Sequence, residues 1–305
     1  MKGMNKIYTS LLAVAIFAGH ASAQTLPSLL VGSDASALGM AATSVGKVSG
    51  AYSLESNVAS MSLGKDRLVA GASFGLWQPN YANDKIIGVG AAYRLGERFA
   101  LGLQFKNFRQ PSYDVVSESG SVRDSFTPGE TCIALGASYS ITDFLSVGVT
   151  GRMVKSTLGE DADASVLGAD AALFFKKDAL SAGLSVNNLG GKVNYGGDDY
   201  DQPMLARVGA AYRIGNPETS AVTPSVEADV LFKGGFMAGV GVEYSYKDML
   251  FARGGFHYGD KEKAVPTYAS LGLGVRFFGV SLDMAYLTAS GILGNSISFG
   301  LGYRF

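Results

Sequence analysis

The sequence predicts an all-β protein: a 14-stranded antiparallel transmembrane outer-membrane β-barrel with a short N-terminal plug segment. Three observations carry that prediction. From residue 67 onward apolar residues recur at every second position, which is the period of a strand, and no window of 18 apolar residues occurs there. The alternating stretches are mostly about 9 to 12 residues long, as a tilted strand needs to cross a hydrocarbon layer. The connections between them fall into a short class and a long class at opposite ends of the strands. Composition agrees: of 305 residues 41 are Gly and only eight Pro, with 47% hydrophobic and 17% charged residues, which argues against disorder and against a collagenous repeat.

Residues 1–23 read as a signal peptide. Lys2 and Lys6 give a basic start, Leu11 to Gly19 an apolar stretch, and Ala21-Ser22-Ala23 a cleavage signal before Gln24. The expected location is therefore the bacterial outer membrane, multi-pass, after cleavage at Ala23/Gln24. No Cys follows that site, so a lipoprotein anchor is not indicated. Without Lys2 and Lys6 the 25 basic residues become 23 against 26 acidic ones, net −3, which leaves no electrostatic footprint for nucleic acid. The lone Cys132 has no disulfide partner within the chain and reads as a small apolar side chain, buried or facing the membrane.

Residues 24–66 do not alternate. Small residues with scattered Leu and Met, including Leu38, Gly39, Met40 and Asn57, suit a plug packed inside a lumen and not a domain with its own core. The barrel is expected over 67–305, with strands at 67–77, 84–95, 98–108, 130–141, 144–154, 166–176, 179–187, 204–213, 223–233, 236–246, 249–258, 268–278, 280–288 and 296–305. Gly96-Glu97, Thr142-Asp143, Lys177-Asp178, Lys247-Asp248 and Gly279 form the short class, which outer-membrane barrels keep in the periplasm. Residues 109–129, 155–165, 188–203, 259–267 and 289–295 form the long, outer class. Two connections break the rule: 214–222 is long on the short side, and Lys233-Gly234-Gly235 is short on the long side.

Charge placement separates a membrane barrel from a soluble sandwich. Arg94, Lys106, Arg152, Asp170, Arg207, Glu227, Asp229, Glu243, Arg253, Arg276, Asp283 and Arg304 all fall on the strand face opposite the large apolar residues. The rest of that face is Gly, Ser and Ala, which suits a narrow lumen where charges of opposite sign pair. Phe108, Phe174, Met249 and Phe251 are the large apolar exceptions expected there, so the lumen offers little greasy track. Tyr93, Tyr139, Tyr212, Tyr244 and Tyr303 sit near strand ends as an interfacial girdle would. The chain ends on Phe305 with Tyr303 two residues earlier, the pattern of a C-terminal sorting signal for outer-membrane barrels.

The stretch Ala35-Ser36-Ala37-Leu38-Gly39-Met40-Ala41, followed by Ala51-Tyr52-Ser53-Leu54-Glu55-Ser56-Asn57-Val58-Ala59, resembles the N-terminal segment of FadL-like barrels, and in particular the PorV/PorQ group of the type IX secretion system of Bacteroidetes. That group has a small-residue run before an Asn-Pro-Ala turn; here Val58 stands in place of Pro. Asn187-Asn188-Leu189-Gly190-Gly191 followed by Pro203-Met204-Leu205-Ala206-Arg207, and Glu243-Tyr244 followed by Arg253-Gly254-Gly255-Phe256, are similar to the same group. The resemblance implies a non-enzymatic accessory or docking subunit of a larger outer-membrane machine, in protein secretion or surface attachment. FadL itself implies the alternative, a channel for a small hydrophobic molecule. Expected partners are outer-membrane lipid, a larger outer-membrane protein complex, and the barrel assembly machinery during biogenesis.

No cofactor is expected. His257 is the one His of the mature chain and reads as a rim residue, since no Ser or carboxylate cluster is placed opposite it. Glu160-Asp161-Asp163 and Asp198-Asp199-Asp201 lack calcium-loop spacing and read as solvated loop charge. Gly239-Val240-Gly241 and Gly272-Leu273-Gly274 lack a following helix, so they clear the lumen and hold no phosphate.

Overall fold

Alternating stretches too apolar to stay in water on one face can close on themselves, and a closed sheet leaves no backbone edge in lipid. A computed structural model describes residues 26–79, 82–116, 120–159, 162–260, 263–289 and 295–305; the expected signal peptide and its cleavage site lie outside them. The N-terminal segment has one α-helical turn, α1 (Ala35–Leu38), and 3₁₀ turns at Pro27–Leu30, Gly50–Tyr52 and Val58–Leu63. The strands follow in order: β1 (Leu68–Trp77), β2 (Asp84–Leu95), β3 (Phe99–Arg109), β4 (Tyr113–Val116), β5 (Val122–Phe126), β6 (Gly129–Ser140), β7 (Leu145–Gly159), β8 (Ala162–Lys177) and β9 (Leu180–Gly190). Then come β10 (Val193–Asn194), β11 (Asp199–Tyr200), β12 (Leu205–Tyr212), β13 (Ile214–Asn216), β14 (Ser220–Leu231), β15 (Phe236–Tyr246), β16 (Leu250–Gly259), β17 (Tyr268–Phe277), β18 (Val280–Ala289) and β19 (Ser296–Arg304). No helix among the described residues is long and apolar enough to cross a membrane; the crossing elements are strands.

Neighbours in the sheet pair antiparallel, and the sheet closes where β1 meets β19, with Val69 opposite Arg304 and Phe74 opposite Phe299. Fourteen staves make the wall, because β12 and β13 are one line and the pairs β4–β5 and β10–β11 stand apart as hairpins in outer connections. The break between β12 and β13 has a local cause. Both keep one register along β14, and the unpaired step falls opposite Pro224, which has no N–H to give. The long connection expected at 214–222 is therefore strand on both sides of a three-residue turn, and the exception disappears. Likewise 155–165 is not a loop: β7 runs to Gly159 and β8 starts at Ala162. The other exception stands, with Gly234 and Gly235 at positive φ closing the β14–β15 turn.

The two faces differ as the alternation demands. Leu103, Leu135, Val149, Leu167, Leu271 and Leu301 are more than half exposed on the outer wall, whereas Arg152, Asp170, Glu227, Asp229 and Arg253 are buried within. Tyr93, Tyr139, Tyr212, Tyr244 and Tyr303 all point outward near the short-turn end. Within the wall β8 and β9 shift register between Ala169 and Ala171, so that Asn187 and Asn188 both stand opposite Asp170, and Asn188 takes φ 60°.

Candidate functional site

The lumen is the candidate site, and its dominant occupant is the chain's own N-terminal segment. Residues 26–66 touch the inner wall at backbone distance. A Cβ at Gly46 would fall 2.5 Å from the Ala210 amide nitrogen, and one at Gly39 would fall 2.9 Å from Gly272 Cα. On the wall side, Gly183 leaves room for the Val45 carbonyl and the Asn57 amide. Glycines on both partners let two backbones meet where side chains would separate them. Leu38 and Met40 are buried in this packing. Asn57 caps the 58–63 turn by accepting from the Ala59 amide (3.0 Å), and donates to the wall carbonyl of Leu173 (2.9 Å) and to Val45 (3.2 Å). Val58 in place of Pro leaves this cap intact.

Among the described residues the charges expected on the lumen face are in ion pairs except Arg94, and Arg94, Lys106, Arg152, Arg207, Glu227 and Glu243 also hold the segment. Arg207 reaches Glu227 at 2.5 Å and Asp229 at 3.4 Å, and donates to the Glu55 carbonyl at 3.0 Å. The other oxygen of Glu227 accepts the Ser44 and Val45 amides at 2.7 and 2.8 Å. Arg253 lies between Glu243 (2.7 Å) and Asp283 (2.6 Å), and Lys47 of the segment approaches Glu243 at 3.9 Å. Arg152 pairs with Asp170, and both hold the bulge: Arg152 donates to Asn188 Oδ1 at 3.0 Å, and Asp170 accepts the Asn188 amide at 2.8 Å. Lys106 donates to the Ser28 carbonyl at 2.7 Å and pairs with Glu55 at 3.4 Å. Arg94 donates to the Gly64 and Lys65 carbonyls where the segment leaves the lumen. Arg276 and Arg304 do something different, sharing the turn carboxylate Asp248 at 2.8 and 2.7 Å. Burial, with the Asp283 carboxylate nearby, pushes the Asp34 carboxyl of the segment above its ordinary range although it caps the Ser36 amide.

Glu55, Asn188, the amides of Ser44 and Val45, and Glu130, which accepts from the Ser28 amide at 3.2 Å and from its hydroxyl, belong to this network beyond the expected site residues. Their signal was weak in sequence: Glu55 and the amides lie in a non-alternating segment, and the bulge moves Asn188 off the strand period.

The apolar content of the lumen exceeds the expectation. Met249 points outward, 41% exposed in the turn before β16, but Phe108, Phe174 and Phe251 are buried inside. At the outer end Trp77, Ile86, Leu205, Met237, Tyr268 and Leu287 join Val31 and Leu38 in one buried cluster. These residues lie at strand ends, where the short apolar face of one strand is hard to tell from the long face of the next. Between that cluster and the charged layer remains a cavity of about 90 Å³, bordered by Trp77, Gln104, Lys106, Arg152, Arg207 and Tyr268.

His257 stacks on Tyr268 with centroids 4.7 Å apart, and its Nε2 faces the Val265 carbonyl at 3.3 Å. Cys132 is buried on the lumen side beside Leu26 and Val154. Among the described residues no three His, Cys, Asp or Glu side chains converge as metal ligands; Glu160 and Asp161 lie outside those residues, and Asp201 pairs with Lys233 at 3.2 Å. At the C-terminus the Phe305 carbonyl accepts the Arg67 and Leu68 amides at 2.7 and 2.9 Å, while Tyr303 and Phe305 turn their rings outward.

Residues 20–234 match the family described as Type IX secretion system protein PorV. Among solved structures, the Ralstonia pickettii toluene transporter TbuX is similar at 14% identity and TM-score 0.66, over 90% of this chain and 99% of that one. The Pseudomonas putida toluene transporter TodX is similar at 15% identity and TM-score 0.65, over 92% and 99%. A Pseudomonas aeruginosa FadL homologue is similar at 12% identity and TM-score 0.55, over 93% and 98%. No curated protein matches the chain. At these identities the structures share the fold, an outer-membrane barrel.

Proposed function

The chain belongs to the PorV family of type IX secretion system proteins, and from that premise we propose that it is a non-enzymatic docking subunit of a larger outer-membrane machine, serving protein secretion or surface attachment. The observation that supports a docking role over conduction is the filled lumen. Residues 24–66 act in this reading as a plug, of which 26–66 are bonded to the wall at several points, and the cavity beside Trp77 and Tyr268 is about 90 Å³. An apolar cavity of about 150 Å³ is what holds a benzene-sized guest. Partners are then met on outer loops or on the lipid-facing wall. Export by the signal peptide, delivery by the barrel assembly machinery through Tyr303 and Phe305, and contact with outer-membrane lipid complete the proposal.

The second reading, a channel for a small hydrophobic molecule, is favoured by the apolar cluster around Trp77, Met237 and Tyr268 at the outer end of the lumen. Affinity purification of the tagged barrel from its own outer membrane separates the two. The expected result is copurifying protein that charge reversals in 109–129 or 188–203 remove, with a reconstituted barrel closed to small solutes. A barrel that copurifies with no protein yet carries an apolar ligand overturns the docking reading.

A further inference from the structure

The short-turn mouth of the barrel carries an excess of positive charge. Residues 65–67, 94–98, 142–143, 176–178, 213–218, 247–248, 276 and 304 together hold ten Lys and Arg against six Asp and Glu, in a mature chain whose net charge is −3. The excess is therefore local, not a property of the whole surface.

Its arrangement narrows the partner. Asp248 is engaged with Arg276 and Arg304. On the other side of the mouth, Lys65, Lys176 and Arg213 converge: Lys65 and Arg213 both act on the Lys176 charge as repelling neighbours, with Asp66 the nearby counter-charge. Among the described residues none of these three cations is in an ion pair, and Lys176 Nζ reaches only the Leu63 carbonyl, at 3.4 Å. Arg94 lies where the same segment leaves the lumen, donating to the neutral carbonyls of Gly64 and Lys65, so its charge too is uncompensated. Three cations beside the single carboxylate of Asp66 repel one another by amounts that an arriving anion relieves.

Strand register then decides between lipid and protein. Lys176 shares the lumen-facing parity of Asp170 and Phe174, Arg213 that of Arg207 and Ala211, and Arg94 that of Ala92. At the same height the lipid-facing positions are the rings of Tyr93, Tyr139 and Tyr212. A phospholipid headgroup would meet the outward row; the cations instead surround the aqueous opening beneath the N-terminal segment. Lys65 and Arg213 are exposed and Lys176 and Arg94 half-buried, so an extended chain can reach them from the periplasm.

We propose that this mouth is a docking site for an acidic segment of a periplasmic protein, held by Lys65, Lys176 and Arg213 with Arg94 behind them. The site is independent of what the outer loops bind, so its failure leaves the docking or channel reading untouched.

The test uses the full mature barrel in detergent micelles and a fluorescent twelve-residue peptide of alternating Glu and Gly, with its Gln counterpart as control. Anisotropy should report saturable binding of the Glu peptide alone, weakening as salt rises from 50 to 500 mM. The double variant Lys176→Gln, Arg213→Gln should lose roughly three- to tenfold in affinity, the size of two exposed charge contacts. Lys155→Gln, Lys192→Gln at the outer end should bind as the wild type does, which controls for net charge. Heat-modifiable migration on gels verifies that each variant is folded. Equal affinity of both double variants, or no binding by the wild type at 50 mM salt, overturns the proposal. So does enrichment of phosphatidylglycerol around the wild-type barrel in mixed vesicles that the mouth variant abolishes while peptide binding persists unchanged, which would make the cations a lipid site.

Discussion

Replacing Glu227 by Ala should free the N-terminal segment from the wall without unfolding the barrel. One carboxylate oxygen accepts the Ser44 and Val45 amides at 2.7 and 2.8 Å, and the other pairs with Arg207. Each bond to a charged acceptor contributes about 1.5–3 kcal/mol, so loss of the amide pair alone weakens this attachment by about 3 kcal/mol or more. At about 1.4 kcal/mol per decade, local opening around residues 44–45 becomes roughly a hundredfold more frequent. Arg207 keeps Asp229 at 3.4 Å and the Glu55 carbonyl, which limits the damage to the wall. Hydrogen exchange read by mass spectrometry on peptides spanning 40–48 measures the opening, with heat-modifiable gel migration reporting the barrel. Glu227→Gln retains an acceptor without the charge and should fall between, near tenfold. Asp229→Asn contacts Arg207 but not the segment, and should leave exchange at 44–45 near the wild-type rate. Exchange that is unchanged in Glu227→Ala, in a barrel that migrates as folded, refutes the claim that this carboxylate anchors the segment.

Gly46→Leu places a side chain where Ala210 backbone atoms already stand 2.5–2.6 Å from a Cβ, so limited proteolysis within 40–48 should accelerate while the wall stays resistant. Asp248→Ala removes the shared partner of Arg276 and Arg304 beside the β1–β19 seam; because these pairs are partly exposed, the expected loss is about 1 kcal/mol, seen as a lower temperature of heat modification, and no shift would show that the seam does not depend on the turn. A cysteine at Asp199 should label with an impermeant reagent on intact cells whereas one at Asp178 should not, and labelling in the reverse order would invert the topology. Deletion of Phe305 should leave the chain in the periplasm for degradation; normal outer-membrane levels would remove the sorting role of the terminal ring.

Much of this molecule is legible without coordinates because a strand in lipid has so few options. Period-2 alternation, as in Ile297, Phe299, Leu301 and Tyr303, dictates which face meets hydrocarbon, and strand length with turn class dictates how many times the chain crosses. The same parity assigned Arg152, Asp170, Arg207, Glu227 and Arg253 to the lumen side, where all five are buried. What parity does not carry is who meets whom across the lumen. Partners such as Glu227 with Ser44 and Val45, or Lys106 with Ser28, lie far apart in sequence and are brought together only when the staves close and the N-terminal segment lies against them. Parity also fails wherever the register slips. The second Asn opposite Asp170 turns Asn188 to positive φ and gives Arg152 a neighbour that no period would place there. At strand ends the alternation is too short to read, so Met249 was expected inside and lies outside, while Trp77, Leu205 and Met237 form an apolar layer that only closure of the barrel assembles. Local chemistry thus determined the staves and their two faces; the contents of the lumen were decided by tertiary closure, because contacts across a barrel depend on shear and register summed over every strand between them.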